Sequence, residues 1–216
     1  MDNPSERRET FDSYYGGFLG GQLFRWLDIR KVQITARAVS STTRRPLQAL
    51  DLGCGSASIS AALRRKFPSL SITAADMDPR LLEIAARKGL KTEVVDFDRP
   101  LPFDSEGFDF VFMFDSIEHV RSREAILKEV RRVLRPDGTF VVFTPPYDSV
   151  VWVAALRLHG LVTRRDADHM SPFTRESLEW FLRRYFTTVR LGSVNLGLTM
   201  WATAQGQLQP PSQPLS

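Results

Sequence analysis

Cysteine occurs once in this 216-residue chain, as Cys54, so no disulfide can close within it and no cysteine-based zinc site can be built. No compact cluster of metal ligands stands out, and no metal is expected. Long hydrophobic runs are missing too. The longest apolar stretch, around Val150–Val162, is broken by Arg157 and His159 and is too short to span a bilayer. The first residues are polar and charged, without the basic and then apolar pattern of a secretory signal. With the lone cysteine, this makes the cytoplasm the expected compartment. Strong charge of one sign is also lacking, since 29 Lys and Arg stand against 25 Asp and Glu, a net charge of +4. The excess is scattered over Arg44–Arg45, Arg64–Lys66, Arg131–Arg132, Arg164–Arg165 and Arg183–Arg184, where a dedicated nucleic-acid binder concentrates it in a stripe or tail. These clusters read as solvated surface or as contacts for an anionic partner. There is no internal repeat.

What is present is a core. Hydrophobic residues make up 43% of the chain, with 15 Phe, enough for one sizeable domain. Apolar residues recur at helical spacing from Phe18 to Val39, after the glycine-rich 16–21. From Leu47 strands and helices alternate. Strands are expected at 47–52, 70–75, 91–95, 108–114 and 139–143, with helices at about 57–66, after Asp78-Pro79, and at 122–134. Near-continuous apolar strands alternating with helices predict a parallel sheet covered on both faces. A helix over 174–184 and two closing strands, 186–191 and 198–204, add an antiparallel edge. The expected organisation is an N-terminal helical lid or extension over 1–46, a main domain over 47–204 with an insertion at about 148–172, and a disordered tail over 205–216.

The strongest chemical signal is the turn after the first strand, Leu50-Asp51-Leu52-Gly53-Cys54-Gly55. Glycines there let backbone approach a ligand where a Cβ would collide, and ligands of open parallel sheets bind beyond the carboxyl ends of the strands. The plainer reading is a tight strand-to-helix turn. Asp76 ends the second strand, 21 positions after Gly55, where an acid can accept hydrogen bonds from both ribose hydroxyls of an adenosyl group. Asp78, beside Pro79, suits the helix cap better. Asp96 and Phe97 close the third strand, where a carboxylate can accept from an adenine amine and an aromatic ring can hold the base. A turn acid and a core aromatic are the alternative, and Asp98 competes for the role.

These pieces, in order and spacing, resemble the methyltransferase domain of class I S-adenosylmethionine-dependent enzymes, in the group that includes ubiquinone-biosynthesis methyltransferases. The resemblance covers Leu50–Thr144. It runs through Leu50–Gly55, Ala75-Asp76-Met77-Asp78-Pro79, Asp96, Leu101-Pro102-Phe103, Phe108–Val111, Ile117-Glu118-His119-Val120, Glu129-Val130 and Val133–Thr139, and more loosely through Asp168-His169 and Phe173-Thr174. It implies a Rossmann-like doubly wound α/β sheet, mostly parallel with an antiparallel edge strand and helices on both faces. It implies S-adenosyl-L-methionine as cofactor, held by Asp51, Gly53, Cys54, Gly55, Asp76, Met77, Asp96, Phe97 and Phe114. Residues 114–119 would line the methyl-transfer site. One departure is Ala57, where the group's loop carries a third glycine, so an altered loop shape with retained binding is expected.

His119 and His169 are the candidate bases, because an imidazole accepts a proton near neutral pH. His119 can equally order the loop after the fourth strand, with Glu118 structural. Cys54 is explained by size and packing, not nucleophilic chemistry. Asp115 either reaches the cofactor's ammonium group or bends its loop. Tyr14 and Tyr15 suit a lid or ordinary packing. The apolar insertion around Trp152, Leu156 and Leu161 reads as an acceptor pocket, a membrane-surface helix or a cover for the sheet edge. Thr144-Pro145-Pro146-Tyr147 imitates the signature of nucleic-acid amino methyltransferases, but it follows the fifth strand, not the fourth, so nucleic acid is not the expected partner. The expected acceptor is a small or lipid-like metabolite, with peripheral membrane contact as an option. Two rivals remain: an adenosyl-binding scaffold without activity, and a nicotinamide-dependent oxidoreductase. The latter's fingerprint calls for Gly or Ala where Ser58 stands.

Overall fold

A computed structural model describes residues 18–43, 46–151 and 172–208, with side chains from residue 28 onward. Helix α1 spans Phe18–Ser40. It is followed by β1 Leu47–Leu52, α2 Ser58–Lys66, β2 Leu70–Asp76, α3 Pro79–Arg87, β3 Lys91–Val94 and β4 Phe108–Phe114. Then come α4 Arg123–Val133, β5 Leu134–Thr144, α5 Arg175–Arg183, β6 Phe186–Val194 and β7 Thr199–Gln207. The seven strands form one sheet in the order β3-β2-β1-β4-β5-β7-β6. Strands β1 to β5 are parallel, and β7 runs antiparallel between β5 and the edge strand β6. This is the doubly wound α/β architecture expected, with its antiparallel pair at one edge.

The strands are apolar on both sides because the sheet is covered on both sides. In β4, Val111 and Met113 join a core with Leu50, Leu52, Ile126, Val130, Leu178 and Phe181, beneath α4 and α5. Phe110, Phe112 and Phe114 face the other way, with Leu47, Ala49, Ile59, Leu63, Ala36 and Val39, beneath α1 and α2. Every residue of β4 is buried. Asp109 is tolerated there because it accepts from the Gln48 amide at 2.8 Å and pairs with Arg135 at 2.7 Å.

Helix starts follow the local chemistry. The Asp78 carboxylate accepts from the Arg80 amide, with Pro79 at the first helical position, and Ser122 accepts from the Ala125 amide. Thr174 and Ser177 form a reciprocal capping box for α5.

Strand β5 starts five residues earlier than expected. Leu134 faces Phe108 and Thr139 faces Phe110, so the turn residues Arg135–Gly138 are looped out of an already paired strand. Strands β6 and β7 each run three residues past the expected ends, to Val194 and Gln207. They pair from Phe186↔Gln207 to Val194↔Thr199, and the Trp201 ring covers Gly192 opposite it. Strand therefore occupies Gln205–Gln207, which had been assigned to the tail.

Two features place a site. The chain steps outward from β1 to β2 to β3, then crosses to β4 on the other side, so β1 and β4 flank the topological switch point. Pro146 also bridges Phe173, and the Tyr147 amide donates to the Phe173 carbonyl, so the ends of the intervening segment meet just beyond β5. Residues 152–171, the 1–17 stretch with Tyr14 and Tyr15, and residues 209–216 lie outside the described residues. Among those described, no helix is long and apolar enough to cross a membrane.

Phe112 is fully buried at the centre of β4, in tilted ring contact with Phe110 and Phe114. Phe112→Ala should lower unfolding free energy by about 3–5 kcal/mol, read from urea denaturation with an unchanged slope.

Candidate functional site

The turn leaving β1 contains two glycines with different jobs. Both have positive φ, 71° at Gly53 and 52° at Gly55. A Cβ on Gly53 would lie 2.5 Å from the Ser116 Cβ and 3.3 Å from the Phe97 ring. Ser116 in turn donates from its hydroxyl to the Leu52 carbonyl at 2.7 Å. Gly53 is thus required by the loop after β4, which packs directly on it. A Cβ on Gly55 would meet nothing within 4 Å, so this glycine presents its open face to the cleft. Ala57, at the third-glycine position, is buried and takes the left-handed conformation itself (φ 53°, ψ 34°). An L-residue pays about 1–2 kcal/mol for that geometry. It leaves α2 without a side-chain N-cap.

Asp76 reaches this turn from β2. One carboxylate oxygen accepts from the Gly55 amide at 2.9 Å and the other from the Asp78 amide at 3.0 Å. A carboxylate offers about four acceptor positions, so roughly two remain for a ligand. Met77, next in the chain, is 56% exposed. At the end of β3 the Asp96 carboxylate accepts from the Asp98 amide at 2.9 Å, and Phe97 packs on the core beside Gly53. Asp98 lies 3.5 Å from Arg121.

Beneath the turn is Asp51, 1% exposed. It accepts from the Ser60 hydroxyl at 2.6 Å through one oxygen, while Oδ1 is buried without a hydrogen-bond partner. Burial, reinforced by Asp76, raises its carboxyl to about 7 against the opposing Ser60 hydrogen bond. Burial, then Asp51 and Asp76, pushes the Cys54 thiol well above its ordinary value, which excludes a thiolate nucleophile.

The pocket so formed is lined by Asp51, Gly53, Cys54, Gly55 and Phe114 from the expected set, and by Asp115. Asp76, Met77, Asp96 and Phe97 sit at the adjoining strand ends, along the same edge of the sheet but outside this lining. From α1 come Asp28 and Lys31, which the sequence reading passed over. Lys31 is 5% exposed, ion-paired to Asp115 and 3.6 Å from Asp28. Burial opposes its charge, but Asp115 and Asp28 outweigh that and hold the ammonium above its ordinary range. An acid and a lysine three residues apart, on one face of a helix otherwise packed on the sheet, were the available signal. Asp115 has a φ of 50°, the left-handed region that turns the chain sharply after β4.

Behind it, Glu118 is 1% exposed and accepts from the Thr144 hydroxyl at 2.9 Å. Burial, then Asp115, raises its carboxyl to about 8. His119 follows on the exposed side of the same short 3-10 turn, its amide donating to the Ser116 carbonyl at 3.1 Å. His169 lies outside the described residues. A site with a partnerless buried acceptor, an acidic floor and an open glycine suits a ligand that brings a cation.

Residues 50–142 match the family model described as "Methyltransferase domain". The chain is 34% identical over 98 residues to the demethylmenaquinone methyltransferase of Thermotoga maritima, covering 45% of this chain and 43% of that one. It is 32% identical over 111 residues to the ubiquinone/menaquinone biosynthesis C-methyltransferase of Desulfotalea psychrophila, covering 49% and 45%. It thus spans a little under half the length of these relatives. Among solved structures, an S-adenosylmethionine-dependent methyltransferase from Thermotoga maritima superposes with a TM-score of 0.66 at 18% identity, over 89% of this chain and 98% of that one. A second, from Methanosarcina mazei, gives 0.62 at 21% identity, over 80% and 98%. These likenesses are of fold.

The raised carboxyls set a pH dependence. Asp51 and Glu118 hold protons more tightly folded than unfolded, so the stability they contribute is complete below their unfolded values and is lost as pH rises through about 7 and about 8. The Glu129 carboxyl is held low by its hydrogen bond to Arg132 and acts only at acid pH, outside that window. Thermal stability should therefore fall from pH 5 to pH 8, and Asp51→Asn should flatten the slope by on the order of 2–4 kcal/mol. An equally steep slope in Asp51→Asn, by calorimetry, would contradict the assignment.

Proposed function

We propose that residues 50–142, which match a methyltransferase domain, form a class I S-adenosylmethionine-dependent methyltransferase domain, and that the chain transfers the cofactor's methyl group to an O, N or C atom of a small or lipid-like metabolite. The observation that carries the reading is the hydrogen bond from the Gly55 amide to the Asp76 carboxylate. It joins the open glycine turn, beside the switch point, to the acid best suited to ribose at the end of the neighbouring strand β2. The residues fit the cofactor. Asp51 Oδ1 is a buried acceptor lacking a donor, as an α-ammonium group would supply, and Gly55 leaves backbone exposed for close approach. Asp76 retains acceptor capacity for ribose. Exposed Met77 and the Asp96–Phe97 pair are proposed for the adenine side.

Bound there, the cofactor supplies an activated methyl. That chemistry would be an in-line displacement in which the carbon–sulfur bonding pair stays with sulfur. The protein's work is then orientation and proton removal. Holding the two reactants in line can be worth about 7–11 kcal/mol in favourable cases. His119, exposed on the turn that Glu118 and Thr144 anchor from beneath, is proposed as the base for an oxygen or nitrogen acceptor. Glu118 is the positioning residue of that turn. The names of the two quinone-pathway relatives support a ring acceptor with a lipid-like tail. Acceptor recognition, with any peripheral membrane contact, is assigned to the segment whose ends meet at Pro146 and Phe173, beside β5's carboxyl end.

Calorimetric titration with S-adenosylmethionine, S-adenosylhomocysteine and NAD is the direct test. The adenosyl ligands should bind at micromolar concentration, NAD should not bind, and Asp76→Ala should weaken the adenosyl ligands about 100-fold, two charge-assisted, part-buried hydrogen bonds to ribose being lost. His119→Ala should leave those affinities unchanged and lower kcat by about 10²–10⁴-fold with an oxygen or nitrogen acceptor. No adenosyl binding to folded wild-type protein would sink the proposal.

A further inference from the structure

The proposed reaction changes the charge of what the pocket holds, since transfer converts a sulfonium cation to a neutral thioether. The pocket's own charge is unusual. Among the described residues that line it, Asp28, Asp51 and Asp115 are acids and Lys31 is the single basic side chain. Glu118 stands behind Asp115, hydrogen-bonded to Thr144. Lys88 binds the glycine loop from its outer side, donating to the Ser56 carbonyl at 2.6 Å and to the Ser58 hydroxyl at 3.1 Å.

We propose that Lys31 is a specificity-determining residue that sets how strongly this site prefers the sulfonium cofactor over its thioether product. The inference rests on the cofactor reading above. Lys31 comes from α1, outside the part of the chain that carries the methyltransferase match, yet it is buried in the pocket wall between Asp28 and Asp115. Its ion-pair partners, Asp28 and Asp115, are both acids. A buried ammonium between the carboxylates of Asp28 and Asp115 lowers the site's negative potential at short range, where water and salt screen least. With it in place the site attracts a cation moderately and can still release one, and a neutral product leaves with little penalty. Without it the cationic cofactor gains attraction that the product does not share.

The ratio of the two dissociation constants isolates this effect from packing. A side chain that merely supports the fold moves both affinities together; a charge beside the sulfur moves them apart. Calorimetry with S-adenosylmethionine and S-adenosylhomocysteine should be run on wild type, Lys31→Met, Lys31→Arg and Asp28→Asn. In Lys31→Met the homocysteine-to-methionine ratio of Kd values should rise about tenfold. Lys31→Arg should keep the wild-type ratio. Asp28→Asn removes one negative charge and should move the ratio several-fold the other way. Its side chain is 32% exposed, so this variant is tolerated and decides the question alone if Lys31→Met does not fold. A ratio that stays within twofold of wild type in Asp28→Asn, or in a folded Lys31→Met, overturns the proposal even where both affinities drop. Wild-type protein that binds neither ligand overturns the cofactor reading itself, a different result from binding both with an unmoved ratio.

Discussion

The carboxylate of Asp76 holds the arrangement together. Its two oxygens draw in the amides of Gly55 and Asp78, tying the turn after β1 to the start of α3. From the opposite side the Ser116 hydroxyl reaches the Leu52 carbonyl, and the Ser116 side chain occupies the volume a Cβ on Gly53 would need. The glycine turn is thus gripped between the ends of β2 and β4, the two strands that flank β1 in the sheet. Neither grip comes from within the turn, so its shape depends on correct strand order. A carboxylate already satisfied by backbone is also preorganised: a ligand meets acceptors that do not have to move.

The electrostatics follow from where the acids lie. Asp51, Asp115 and Glu118 all sit at or just beyond the ends of β1 and β4; Asp51 and Glu118 are buried, and burial raises their carboxyls toward neutrality. One cation, Lys31, is supplied from a helix distant in sequence. The pocket is a place where charge is scarce in water but concentrated in protein, and a cationic ligand is its natural complement.

Much of this was legible in the sequence, for identifiable reasons. The strands β1, β2 and β4, the cap Asp78 and the helix starts near Ser122 and Thr174 stand out because apolar runs and helix-start residues are local signals. So does Asp76 at the end of the second strand, although its hydrogen bond to Gly55 does not. What escaped was non-local. That Gly53 serves Ser116 depends on a residue 63 positions away. The burial of Lys31 depends on how α1 lies against the loop after β4, which no periodicity reveals. The early start of β5 was hidden because Arg135-Pro136-Asp137-Gly138 has the composition of a turn, and it is one, looped out of a strand whose pairing begins at Leu134. The long β6–β7 pair is shorter in the sequence reading because residues after Leu191 read as a Gly- and Asn-bearing connection and Gln205 onward as a Gln/Pro/Ser tail, though Trp201 covers Gly192 and Gln205–Gln207 pair with β6.

The bridge between Pro146 and Phe173 has a different bearing. A segment that leaves and re-enters the fold at one point is, for the sheet, a closed loop. Lengthening such a loop costs conformational entropy only logarithmically, about 0.6 kcal/mol for each doubling. The Thr174 capping box and the Arg123 guanidinium, 4.1 Å from the centre of the Phe173 ring, fix the re-entry whatever lies between. The segment between Pro146 and Phe173 can therefore change in length at small cost to the strands and the glycine turn. The same chassis can acquire a new clientele without being rebuilt.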